Sequence, residues 1–140
     1  MEENKDRTYR RGLGGGRIMN SGGVVGRIDY VEIPGDDMAE LRAFYGGVFG
    51  WRFTDYGPDY AGFDAGLDGG LATDAQERTV APLLVIRVDD PEAFLDKVVA
   101  AGGEVTRPIF HFPGGRRFHF RDPSGNELAV WTTEDGPAAA

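Results

Sequence analysis

The pattern of apolar and polar positions sharpens at Arg27. Ile28, Tyr30 and Glu32 alternate with Asp29, Val31 and Ile33 until Pro34-Gly35, which predicts a short strand and a turn. Asp36 or Asp37 then caps a helix, with Glu40 three residues after Asp37 as in a capping box and Met38, Leu41, Tyr45 and Val48 along one face. Gly46, Gly47 and Gly50 predict a loose helix end. Short strands are expected at Trp51-Arg52-Phe53, at Tyr60 to Phe63 and around Gly70-Leu71-Ala72, separated by Gly, Pro and Asp turns. A second round follows. Leu83 to Val88 reads as an apolar strand, Asp89-Asp90-Pro91 as a cap with a first-turn proline, and Phe94, Leu95, Val98 and Ala101 as a helical stripe that Gly102-Gly103 ends. Glu104 to Pro108, Arg117 to Arg121 and Glu127 to Trp131 are further strands. Pro108 to Gly115 is too rich in Pro and Gly for its facing to be fixed, Pro113 to Arg116 reads as an exposed loop at the rim of the cup, and Asp122 to Asn126 as a hairpin turn.

The two rounds superpose at an offset of 53 residues. Asp36-Asp37 falls on Asp89-Asp90, Ile33 on Ile86, Leu41 on Phe94, Tyr45 on Val98 and Gly50 on Gly103. Strand, acidic cap, apolar helix face and glycine stop therefore recur in register. The expected fold class is α+β: two tandem βαβββ modules, 27–76 and 80–133, whose curled mixed sheet forms a cup with helices outside. Residues 1–26 and 135–140 are expected to be disordered, leaving one domain over 27–134. Met19 is an alternative start to Met1.

Composition narrows the chemistry. The 140 residues include no cysteine, which excludes a disulfide framework, a thiolate zinc site and a cysteine nucleophile. Six basic residues face three acidic ones up to Arg27, but nine face twenty beyond it. An acidic body repels phosphate backbones, so nucleic acid is excluded as a partner of the folded part. No apolar run approaches the roughly 20 residues of a membrane span, and no apolar stretch follows the N-terminal arginines. The expectation is a soluble, cytoplasmic protein with no membrane partner.

Asp-Asp before each helix, Ala43-Phe44-Tyr45 with Val48-Phe49-Gly50-Trp51, and the closing Phe118-His119-Phe120-Arg121-Asp122-Pro123-Ser124-Gly125-Asn126 resemble the glyoxalase, bleomycin-resistance and extradiol-dioxygenase group, the vicinal oxygen chelate proteins. The resemblance spans Val25 to about Thr133. It implies two modules around a small-molecule cavity, commonly in a homodimer, and hosts chemistries from isomerases to plain drug binders. In metal-using relatives His, Glu or Gln from the first and last strand of each module hold a divalent ion. Carried over, those positions are Tyr30, Leu83, Ala129 and a residue within 69–73, where no His, Glu or Gln occurs. The usual metal site is therefore expected to be lost, with no cofactor in its place.

Period-2 alternation sets the cup-facing residues. If Ala129 faces the cavity, so do Glu127 and Trp131; Arg117 and His119 on the preceding strand, Tyr30 and Glu32 on the first, and Leu83 join them. His111 is a further candidate. Tyr30, Leu83, His111, Glu127, Ala129 and Trp131 are the expected ligand contacts. His119, Glu32 and Arg117 are the candidate catalytic groups. One function class is metal-independent binding of a small organic molecule, with Trp131 and Tyr30 as apolar surface. A second is a lyase, isomerase or dioxygenase-related enzyme in which His119 or Glu32 moves a proton and Arg117 stabilises an oxyanion. The third is a dimeric scaffold without a ligand. For His119 and Arg117 a structural pairing with Glu127 or Glu32 stands beside the functional reading.

Overall fold

The structure is a computed structural model, and it describes residues 26–134. Apart from Gly26, the expected tails therefore lie outside the described residues. Among the described residues, eight strands and two helices follow the order β1 (Arg27–Pro34), α1 (Met38–Phe49), β2 (Phe53–Asp55), β3 (Tyr60–Asp64), β4 (Asp68–Ala72), β5 (Leu83–Arg87), α2 (Pro91–Ala100), β6 (Glu104–Phe112), β7 (Gly115–Arg121) and β8 (Glu127–Thr133). They form one sheet with the order β2-β3-β4-β1-β5-β8-β7-β6.

The duplication is visible in the ladders. Each unit pairs its first and last strands in parallel, β1 with β4 and β5 with β8, and β1 meets β5 antiparallel at the centre. Both helices are capped at positions 53 apart. Asp37 Oδ1 accepts the Glu40 N–H at 3.0 Å, and Asp90 Oδ1 accepts the Ala93 N–H at 3.2 Å, with Pro91 in the first turn where no N–H is needed.

The glycine-rich end of α1 is firmer than its composition suggests. The helix continues through Gly46 and Gly47 and stops at Gly50, whose φ of +75° is a left-handed conformation that a side chain disfavours. Tyr45 and Trp51 stack at 4.9 Å, and Trp51 stacks on Phe63 at 4.7 Å, so aromatic contact across the helix end replaces propensity.

The segment after Pro108, whose facing the sequence leaves unfixed, is strand, and of the expected rim loop Pro113 to Arg116 only the first two residues form a turn, Gly115 and Arg116 belonging to β7. β6 runs on to Phe112 and joins β7 through the two-residue turn Pro113-Gly114, with Gly114 at φ +110°. Pro108 is tolerated because β6 is the outer strand of the sheet and its register is already irregular between Arg107 and Phe110.

Beneath α2, Val88, Phe118 and Val130 form a buried cluster joined by Ile86, Phe94, Leu95, Val98, Ile109 and Phe120. Burying a side chain of this size contributes about 2–3 kcal/mol. The first turn of α2 is tied to the sheet by Glu92, whose carboxylate receives Arg116 Nε at 2.9 Å and Nη2 at 3.0 Å. That guanidinium holds the Glu92 carboxyl below its usual range. On the opposite face, Leu83, Val85 and Ala129 form a second cluster with Tyr30 and Trp131 packed against it, and this cluster is the floor of the cup.

Candidate small-molecule site in the cup

The concave face of the sheet encloses a cavity of about 770 Å³. The first unit contributes Tyr30 and Glu32 from β1, Tyr60 from β3 and Tyr56 from the turn before it. From the second come Val85, Phe110 and Phe112, Pro113, Arg117 and Trp131, while Glu77 reaches in from the segment that links the units.

A continuous hydrogen-bonded chain crosses this wall. Tyr60 donates its only hydroxyl proton to Glu32 Oε2 at 3.0 Å, so the 2.5 Å contact between the two phenols has Tyr30 donating to Tyr60. Arg117 closes the chain with Nη1 to Glu32 Oε2 at 3.1 Å and Nη2 to Oε1 at 3.4 Å. The Arg117 guanidinium lies 5.5 Å from the Phe110 ring centre and 5.6 Å from that of Phe112. Burial pushes both phenols up from their ordinary range, and at Tyr60 the neighbouring Glu32 charge adds to it. Both therefore stay protonated near neutral pH. With these protons committed inside the chain, the Tyr30 oxygen meets the cavity with lone pairs only. Glu32 is likewise engaged at both oxygens, which argues against it as a free base.

Trp131 lines the cavity and is fixed by its Nε1–H, which donates to Asp29 Oδ1 at 2.8 Å. Leu83 and Ala129 are fully buried in the floor beneath it. His119 and Glu127 keep the cup-side parity but do not border the main cavity. The linking segment crosses that end of the cup, and the two residues instead face a separate pocket of about 270 Å³ with Gln76, Glu77, Arg78, Thr79, Val80 and Arg107. There His119 Nδ1 lies 3.1 Å from Glu127 Oε2. Burial and then the Arg117 charge lower the proton affinity of the imidazole, outweighing the pull of Glu127. His111 is corrected outright: it shares the parity of Ile109 on the helix side of β6, is exposed and borders neither pocket.

Sequence reasoning missed Tyr56, Tyr60, Phe110, Phe112 and Glu77. Alternation within Tyr60-Ala61-Gly62-Phe63 was sufficient to place Tyr60, since Ala61 and Phe63 are the buried partners on the other face. Phe110 and Phe112 were hidden because the Pro and Gly residues of 108–115 left the facing of their segment unfixed. Nothing in the sequence marks Glu77.

The family model for the Glyoxalase/Bleomycin resistance protein/Dioxygenase superfamily matches residues 27–130. The chain belongs to this superfamily. Among curated proteins it is 29% identical over 122 residues to "Putative glyoxylase CFP32" of Mycobacterium tuberculosis, a match covering 76% of this chain and 45% of that protein. The chain thus spans about half the length of the curated relatives it matches. Among solved structures, the Mn(II)-bound glyoxalase from Novosphingobium aromaticivorans superposes with a TM-score of 0.58 at 23% identity, covering 84% of this chain and 43% of that one. Methylmalonyl-CoA epimerase from Mycobacterium tuberculosis superposes with a TM-score of 0.61 at 16% identity, covering 82% and 93%. At these identities the likeness is one of fold.

Superfamily membership makes the ligand positions testable. Glu32 pairs with Gly70 across β1 and β4 as Val85 pairs with Ala129 across β5 and β8, so Gly70 is the counterpart of Ala129. The four positions are thus Tyr30, Gly70, Leu83 and Ala129. The last two are sealed in the floor, and a side chain at Gly70 would overlap the Tyr60 hydroxyl and ring. A neutral phenol, an isobutyl group, a methyl and a hydrogen do not fit a divalent cation. Among the described residues no group of three or more His, Cys, Asp or Glu is arranged to hold one.

Proposed function

We propose that this chain binds a planar, largely apolar organic molecule in the cup without a divalent ion. The observation that carries the reading is the substitution at the four ligand positions together with what fills the space: Tyr60 lies over Gly70, and aromatic rings make most of the wall. Trp131 and Phe112, with ring centres 6.3 Å apart, offer a surface for stacking. Arg117 is neutralised by Glu32, so the cavity disfavours a carboxylate or phosphate ligand. The polar group that suits it is a hydrogen-bond donor directed at the Tyr30 oxygen.

The enzymatic alternative through His119 is less well supported, because that imidazole lies outside the main cavity and Glu32 is already bonded at both oxygens. The test is tryptophan quenching by a panel of aromatic amines, phenols and matched carboxylates in excess chelator, beside elemental analysis of the purified protein. Saturable quenching by the donors, lost in Trp131→Phe and weaker for the carboxylates, is expected. Stoichiometric bound metal, or binding that appears only on adding divalent ions, would refute the reading.

A further inference from the structure

The internal repeat supplies a control for the outer surface. α1 and α2 stand at matching places in the two units, so residues 53 apart answer to each other. On α2 the exposed Asp96 and Lys97 are charged, as a helix face in water requires; their counterparts on α1, equally exposed, are Ala43 and Phe44. One turn on, Ala100, Ala101 and Gly102 answer to Gly47, Val48 and Phe49. Phe44, Val48 and Phe49 are 56%, 59% and 61% exposed, whereas among the described residues α2 exposes one large apolar side chain, Val99. No side chain of α1 is buried. The outer face of α1 is therefore apolar where its duplicate shows what a solvated face looks like.

Shape and charge point to one occupant. Phe44 and Val48, four residues apart, form a ridge; Ala39, Ala43 and Gly47, at the same spacing, form a trough beside it, and a Cβ added at Gly47 would meet nothing within 4 Å. An antiparallel second α1 sets its ridge into this trough and offers its own trough in return, the reciprocity a two-fold contact demands. From Ala43 to Gly50 the chain has no charged side chain, while beyond Arg27 nine basic residues face twenty acidic ones, so two copies repel elsewhere and least here. At about 150–250 Å² per Phe side chain, the three exposed residues offer roughly 300 Å² of apolar surface. That suffices for the apolar centre of an interface of about 800 Å² per copy. We propose that two copies of this chain dimerise through this face, α1 against α1, about a two-fold axis passing near Ala43 and Phe44. The proposal is independent of what the cup binds.

Sedimentation velocity of the full chain from about 1 to 500 µM should show a monomer–dimer equilibrium. Phe44→Glu should weaken it at least about a hundredfold, and Val99→Glu, at the exposed apolar position of α2, less than about threefold. An equimolar mixture of Phe44→Glu and Phe44→Lys should restore dimers, because opposite charges then meet near the axis. The chain has no cysteine, so single-cysteine variants are clean reporters that do not disturb the fold as a charge can. Ala43→Cys should form a disulfide-linked dimer under mild oxidation, and Asp96→Cys, the matching position on α2, should not. A chain that stays monomeric at every concentration would overturn the proposal, and so would a dimer that folded Phe44→Glu leaves intact. Should Phe44→Glu fail to fold, equal crosslinking of the two cysteine variants would overturn it instead. A monomer that sediments with phosphatidylcholine vesicles through Phe44 would assign the face to lipid and overturn it too.

Discussion

Arg117→Met, Glu32→Gln and the double variant test whether the chain across the cup is built as described. The side chains of Arg117 and Glu32 are only 15% and 13% exposed, so the pair is largely withdrawn from water and not a solvated surface pair of small value. Removing one member of a buried pair leaves a charge without its partner and costs about 3–5 kcal/mol. In Arg117→Met the carboxylate keeps the Tyr60 hydroxyl, which places the expected loss at the lower end, about 3 kcal/mol. Glu32→Gln leaves a guanidinium between two aromatic rings whose Nε has no partner among the described residues, and a similar loss is expected. The double variant removes both charges, so it should lose far less than the two singles together, with a coupling of about 3 kcal/mol. Urea unfolding of the four proteins reads this directly, and each single variant should also lower Tm by roughly 10 °C. Single losses below about 1 kcal/mol, or additivity within about 0.5 kcal/mol, would show that water screens the pair and that the wall is not organised around it.

Two further outcomes follow from buried groups. His119 has a native proton affinity below its ordinary value, so the unfolded chain takes up a proton that the folded one resists. Its contribution is intact above about pH 6.5 and is lost as pH falls below that. Glu127, Arg117, Arg107, Glu77 and Arg78 are the charged groups facing it, and the acid-side slope of urea midpoints between pH 7.5 and 5 should shrink in His119→Gln. An unchanged slope would mean that the imidazole titrates freely. Phe118→Ala opens the centre of the cluster beneath α2 and should cost about 3–5 kcal/mol in the same assay, whereas a loss under about 1 kcal/mol would mean that α2 collapses onto the gap.

Much of the fold is legible because its signals are local. Asp37, Asp90, Pro91 and Gly50 act through the backbone within a turn or two, and alternation in Glu127 to Trp131 reports the face on its own. The site was legible only where parity alone decides, as for Tyr30, Glu32, Arg117 and Trp131. Parity does not tell which part of a face stays open, and His119 and Glu127 were lost to the cup because residues from the linker cover them. His111 was misplaced for a different reason: Pro108 and Gly114 left the facing of its segment unfixed, yet an outer strand accepts the one and a two-residue hairpin uses the other.

The central β1–β5 ladder joins two copies of one plan, but the copies furnish their sides of the bowl differently. Phenols and a carboxylate come from one half, and phenyl rings, an indole and a guanidinium from the other. A guest turned end for end would therefore meet the wrong furniture, which makes the chamber handed: duplication supplied its shape, and divergence gave it a front and a back.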